Sequence, residues 1–318
     1  MRKEDDSSLR PAELRAVEER ARQSLDKAGA WGRFPTPVDD VVSAAKLRVA
    51  PKGLFDPERL LAFAKQQTAR AFFAVKAALS KVLGLYDANE QIIHIDESVG
   101  LSKQKFLKLH ETGHHELPAH RKIFTFFQDC EQTLAPHIAD QFEREANNFA
   151  RFALFQGTAY QQLAADSPMG IKSPINLAKK FGASNYASAR EFARTNHRAC
   201  VVYVLEPIEF VPGRSAAAAV RRVETSPSFE ENFGCPPDVL IDKEHALFPL
   251  LPIGRKMTRP TTLVYRDKNG DQHECLGEAF DTTHNILLLI YPVKALTGAS
   301  IVVPSQYLAR GVDDSDKR

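Results

Sequence analysis

Two histidines four positions apart, with a glutamate directly after the first, are the residues of this 318-residue chain best suited to chemistry: His110-Glu111-Thr112-Gly113-His114. On a helix that step is a little over one turn. Both imidazoles then leave the same face and can hold one metal ion, while Glu111 points about 100° round the axis, toward a water on that ion. Such a set suits metal-assisted hydrolysis, in which the ion polarises a carbonyl and acidifies a water and the carboxylate takes the water's proton. The competing reading is an amphipathic surface helix with two incidental histidines. Phe106, Leu109 and Leu117, recurring on the histidine side, weigh against it.

A catalytic zinc takes three protein ligands and keeps a fourth position for water, so a third ligand is required, and one Zn2+ per chain is the expected cofactor. The long apolar-striped run His137–Phe155 is the natural place for it, and two carboxylates compete there, Glu143 and Glu145. Glu143 shares a side with Ala139, Ala146 and Ala150, where small residues would let two helices approach closely. Periodicity alone leaves both open. For a group that steadies a tetrahedral intermediate, Tyr86, His197 and Arg144 qualify by residue type only, and the role is left unassigned.

These side chains need a frame. Helical spacing predicts an opening helix over residues 9–30, a short one over 38–47 and another over Asp56–Lys81. For the helix bearing the histidines, Ser102 is the expected N-cap and Pro118 the stop. Before it, Gly84 to Asp96 reads as a hairpin with a polar turn at Asp87 to Gln91. Its outer strand could pair with an extended peptide, or the hairpin could be purely structural. Asn176 to Arg194, with Gly182 at the turn, reads as a helix-turn-helix-like pair, which can enter a DNA groove or serve as a packing module. Beyond Ala199 the texture changes to strands, at 200–205, 262–265, 272–276 and 285–292, with Asp267 to Gly270 as a hairpin turn. The fold class expected is α+β.

Composition bounds the function from outside. With 43% hydrophobic and 26% charged residues and a formal net charge of +2, the chain is a soluble globular protein and not a histone-like nucleic-acid binder or an acidic disordered chain. No apolar run reaches membrane-spanning length and the N-terminus lacks the apolar middle of a signal peptide, so a cytoplasmic protein with no membrane partner is expected. Cys130, Cys200, Cys235 and Cys275 form no C-x-x-C pair, and free thiols are expected. Arg221, Arg222, Arg255, Lys256 and Arg259, interleaved with aromatics, suit a single-stranded nucleic acid; a solvated charged surface is the plainer alternative.

The combination HETGHHELP with E-R-E-A-N-N-F-A (Glu143 to Ala150) resembles the ImmA/IrrE family of metallopeptidases. The resemblance covers roughly the first two thirds of the chain, and it departs from the family where Leu154-Phe155-Gln156 replaces a frequent Leu-Met-Pro. It implies that His110, His114 and Glu143 are the metal ligands and Glu111 the general base. It also implies a mainly helical zincin-like metallopeptidase domain over residues 1–160, a helix-turn-helix-like segment over 161–198, and a GAF-like sensor role for the C-terminal α+β domain read over 199–310; the charged end is expected to be a disordered tail over 311–318.

Family members are similar in cutting a partner helix-turn-helix repressor, and so inducing damage-response, mobile-element or anti-phage genes. That repressor is the expected substrate, with single-stranded DNA as the expected activator. The linker cysteine Cys130 resembles one that could close the fourth zinc position as a cysteine switch; a buried free thiol is the alternative. A non-enzymatic DNA-binding regulator with a structural metal stands as the other function class.

Overall fold

The computed structural model describes residues 7–50, 84–87, 91–95, 99–120, 136–210 and 216–294. The expected helix Asp56–Lys81, Cys130 and the tail 311–318 lie outside these residues. The chain forms two compact units, Met1–Gln162 with Asn176–Ser184, and Leu163–Ile175 with Asn185–Arg318.

In the first unit, helix α1 (Pro11–Lys27) opens with a proline in its first turn and a reciprocal Arg10–Glu13 cap, and buries Val17, Ala21 and Leu25. Helix α2 (Val38–Ala44) buries Val38, Val41 and Val42. Strands β1 (Arg48–Val49), β2 (Gly84–Asp87) and β3 (Ile92–Ile95) form a sheet in the order β1-β3-β2. The hairpin is antiparallel from Gly84↔Ile95 to Asp87↔Ile92, and its turn holds Gln91 at φ 53°. β1 runs parallel to β3, a pairing the sequence did not announce because two residues carry no readable period. It leaves β2 as an outer strand.

Helix α3 (Leu101–Glu116) carries the two histidines. Its N-cap is Gly100 and not Ser102, which lies inside the first turn; no side chain caps this end. The helix stops at Leu117, whose backbone is extended (φ −78°, ψ 117°), the conformation that a following proline imposes. Pro118 then opens a new helical stretch, described as far as His120.

Helix α4 (Pro136–Phe155) packs on α3 and on α1. At the α3–α4 crossing Gly113 is closely packed: a Cβ there would meet three side-chain atoms of Phe149 at 3.1 Å. Lys108 of α3 pairs with Asp39 at 2.6 Å, tying α2 to the same helix. Beyond α4, Phe34, Phe155, Tyr160 and Phe181 pack edge to face or tilted, with ring centroids 4.7–5.9 Å apart.

Helices α5 (Thr158–Asp166), α6 (Lys172–Phe181) and α7 (Asn185–Thr195) follow, and Gly182 at φ 73° makes the turn before α7. In α7 every residue from Ser188 to Ala193 is buried, and the helix lies against the sheet of the second unit. The middle of α7 therefore offers no free face to a DNA groove.

The second unit is built on an antiparallel sheet. Its strands are β4 (Val201–Leu205), β5 (Glu209–Phe210), β6 (Ala216–Thr225), β7 (Leu240–Ile241), β8 (Thr261–Arg266), β9 (Gln272–Asp281) and β10 (Ile286–Pro292), in the order β5-β6-β4-β10-β9-β8 with β7 on β6. All of β4 is buried, which explains its unbroken apolar sequence. One face carries the core, with Tyr203, Phe229, Leu250, Leu288 and Ile290, closed over by helix α8 (Pro227–Phe233) and the 3-10 turn Phe248–Leu250. The opposite face holds α7. β6 went unread in the sequence because AAAAVRRVET has no period of two and its apolar start is alanine, which favours helix over strand.

Candidate metal centre

His110 and His114 lie on the α3 face turned to α4. Both are buried, as are the intervening Glu111, Thr112 and Gly113. Their Nε2 atoms stand 3.1 Å apart. Glu143, about two turns into α4, brings Oε2 to 3.3 Å from His110 Nε2 and Oε1 to 3.7 Å from His114 Nε2. The three residues form the group able to hold a metal ion among the described residues.

A tetrahedral zinc with ligand bonds of about 2.0–2.1 Å separates its donors by about 3.3 Å. The separations of 3.1, 3.3 and 3.7 Å bracket that value, so the donor set fits the ion. The donor chemistry fits as well, with two imidazoles and one carboxylate. The Glu143 side chain is 57% exposed, which leaves the carboxylate side of the centre open to a fourth ligand.

What stands behind the imidazoles fixes their tautomers. His110 Nδ1 is 3.1 Å from Asn147 Oδ1, an acceptor, so the proton belongs on Nδ1 and the Nε2 lone pair faces the centre. His114 Nδ1 is 3.0 Å from Nδ1 of His120, and His120 Nε2 is 2.8 Å from Glu145 Oε2. The two carboxylates that compete on sequence thus take different places. Glu143 faces the histidine Nε2 atoms, and Glu145, half a turn on, reaches His120 behind them. Asn147 and His120 were not singled out in the sequence; Asn147 stands one turn after Glu143, a spacing that places the two on one face.

Electrostatics separates the two histidines. Burial disfavours charge on His110, but the hydrogen bond to Glu143 and the charges of Glu111 and Glu143 outweigh it, and its pKa is raised. At His114 burial and the neighbouring His110 prevail over Glu143, and its pKa falls well below the ordinary value. Of the two imidazoles, His110 is thus the more readily charged.

Tyr86 sits on β2 opposite Ile93, Arg144 on α4 is half-buried, and His197 in the second unit is exposed. Arg221 and Arg222 lie on β6. Arg222 faces Glu224 at 3.4 Å, while Arg221 is exposed and stacks its guanidinium 5.6 Å from the Tyr186 ring. Arg255, Lys256 and Arg259 are exposed on the segment leading into β8, where Lys256 is hydrogen-bonded through its carbonyl to Asp281 of β9. β4 and β10 lie between β6 and β9, so the basic residues form two groups. Cys200 and Cys275 are buried free thiols, pushed up to about 12 and about 11 by burial, and Cys235 is exposed. No described helix is long and apolar enough to cross a membrane.

Residues 70–191 match the family model Peptidase_M78, the IrrE N-terminal-like domain. No curated protein matches the chain. Among solved structures it is similar to a Mycobacterium tuberculosis transcriptional regulator at 11% identity and a TM-score of 0.45, over 86% of this chain and 75% of that one. His110, Glu111, His114 and Glu143 all fall inside the span that matches the Peptidase_M78, IrrE N-terminal-like family model.

Proposed function

We propose that this chain is a zinc-dependent endopeptidase that cuts a partner helix-turn-helix repressor at one site, and so switches on the genes that repressor holds silent. The observation that carries the reading is the convergence of two imidazoles and a carboxylate, at separations of 3.1–3.7 Å, beside the buried Glu111 and within an IrrE-like domain. His110, His114 and Glu143 hold the ion. A zinc ion there would supply Lewis acidity and would acidify an attacking water. Glu111, next to His110 on the same helix, accepts that water's proton on its carboxylate and delivers it to the leaving amine. The exposed flank at Glu143 admits the peptide, and the outer strand β2 can align it by backbone pairing.

For the rest of the chain we keep the division into a peptidase domain (1–160), a helix-turn-helix-like segment (161–198), a GAF-like sensor domain (199–310) and a tail (311–318). An antiparallel sheet with one face closed by a helix and the other by its own core supports the sensor reading. Single-stranded DNA is the proposed activator, met by two groups, the exposed Arg221 with Arg222 held by Glu224 beside it, and the exposed Arg255, Lys256 and Arg259. The linker cysteine Cys130 resembles that of the protease in the CapH/CapP anti-phage pair, and we assign it the cysteine-switch role.

Incubation of the zinc-loaded protein with a helix-turn-helix repressor encoded beside it, with and without single-stranded DNA, tests the reading by mass spectrometry. The expected result is one discrete cut, greatest with DNA and lost in Glu111→Gln with zinc retained. A zinc-loaded protein that leaves the repressor intact under every condition, and whose effect on transcription survives Glu111→Gln, overturns it in favour of a DNA-binding regulator with a structural metal.

A further inference from the structure

The geometry points to His120 and Glu145 as positioning residues for the metal ligand His114, forming a one-way hydrogen-bond chain from the metal centre to a carboxylate behind it. This inference rests on the proposed metal site. A neutral imidazole has one proton, and His114 Nε2 must offer a lone pair because it faces His110 Nε2 at 3.1 Å and Glu143 Oε1 at 3.7 Å. The proton is therefore on Nδ1, which donates to His120 Nδ1 at 3.0 Å. His120 Nδ1 accepts, so its own proton is on Nε2 and is donated to Glu145 Oε2 at 2.8 Å. Oε1 of Glu145 accepts from Gln141 at 2.9 Å, which fixes the carboxylate. Each proton has one place consistent with its neighbours.

The chain is also held rigid. His120 is fully buried and stacks on Phe142 of α4, with centroids 3.9 Å apart and planes at 16°. It reaches this position because α3 ends at Leu117 and Pro118 turns the backbone into a new helical start. Such partners orient a ligating imidazole and raise the basicity of its lone pair, and losing them weakens metal binding by about 10–100-fold. Among the described residues His110 has the neutral Asn147 behind it, whereas His114 has a chain ending on a carboxylate, which makes His114 the stronger donor.

The test uses the full chain, with zinc affinity measured by chelator competition and ligand geometry read from the visible absorption of the cobalt-substituted protein. His120→Phe keeps the stack on Phe142 but removes the acceptor, His120→Gln restores an acceptor, and Glu145→Gln keeps shape while removing the charge. We expect His120→Phe to bind zinc about 10–100-fold more weakly with a shifted cobalt spectrum, His120→Gln to recover part of that loss, and Glu145→Gln to weaken binding by less. Should His120→Phe fail to fold, as judged by circular dichroism of the metal-free protein, Glu145→Gln and His120→Gln decide. Zinc affinity and cobalt spectra like wild type in the folded variants overturn the proposal while leaving the site intact. A wild-type chain that binds no zinc overturns the site reading and this proposal with it.

Discussion

At the residue scale the centre is a contest between a proton and a metal ion for the same lone pairs. The raised pKa of His110 means that the metal-free protein gains stability from its charged form below the ordinary histidine value, and loses that contribution as pH rises through the raised value. Metal binding runs the other way, because zinc needs the neutral imidazole. Zinc affinity should therefore rise with pH through the raised His110 value, with uptake of the ion releasing about one proton below it and none well above it. Isothermal titration in buffers of different ionisation enthalpy measures that proton directly; an affinity independent of pH between about 5 and 8 would contradict the assigned ligand. Glu143 and Glu145 should separate in the same experiment: Glu143→Ala should abolish zinc binding, whereas changes at Glu145 should only weaken it. Their roles were not legible from spacing, since two carboxylates two positions apart on a helix straddle the facing surface. Only the position of His120, set by the Leu117–Pro118 break, distinguishes them.

At the element scale the centre depends on how closely α3 and α4 approach. Gly113 stands between the ligands on α3, and a Cβ there would press on Phe149 at 3.1 Å. An alanine gains about 1 kcal/mol of helix propensity, and overpacking costs about 1–3 kcal/mol. Overpacking outweighs it, so Gly113→Ala should destabilise slightly while widening the gap between Glu143 and the histidines. Weaker zinc binding with a nearly unchanged metal-free melt would be its mark. The loop after α4 is held by a different device. Gln156, buried at φ 51°, accepts from Gly32 N at 2.8 Å and donates to the Arg33 carbonyl at 2.8 Å and to Thr36 Oγ1. A proline, with φ fixed near −65°, could not stand there, so the departure from the family's Leu-Met-Pro goes with a different loop conformation. Gln156→Ala strands a buried donor and acceptor and should cost about 2–4 kcal/mol by denaturant unfolding. The long, strongly patterned helices α1, α3 and α4 were readable in the sequence to within a few residues. β1, β6 and the Gly100 cap were not, because they rest on partners distant in sequence and leave no local period.

At the scale of the whole molecule the two units should answer to different stimuli. Zinc at the proposed site would stabilise the first unit, by about 2.7 kcal/mol with free ion at about 100 times its dissociation constant. The second unit holds an acid-sensitive cluster in which Arg190, Arg194 and Arg222 converge on Oε1 of Glu224 at 2.8–3.4 Å. Burial alone would raise the Glu224 pKa, but the charges of Arg194 and Arg190 outweigh it and the pKa is lowered from 4.5. A lowered carboxylate contributes stability that is present above its unfolded value and is lost as pH falls from about 4.5 through the folded value. Acid down to about pH 3 should therefore weaken the second unit, and Glu224→Gln should weaken it at neutral pH too, by about 3–5 kcal/mol, because three guanidinium groups lose their common partner. Calorimetry over pH 3–7 with and without zinc measures both effects. The transition that zinc raises should be insensitive to Glu224→Gln, and the transition that the variant lowers should be insensitive to zinc. A single transition moved by both would mean that the sheet bearing α7 and the metal-binding helices unfold as one cooperative body, through which a ligand on the second unit could act on the centre.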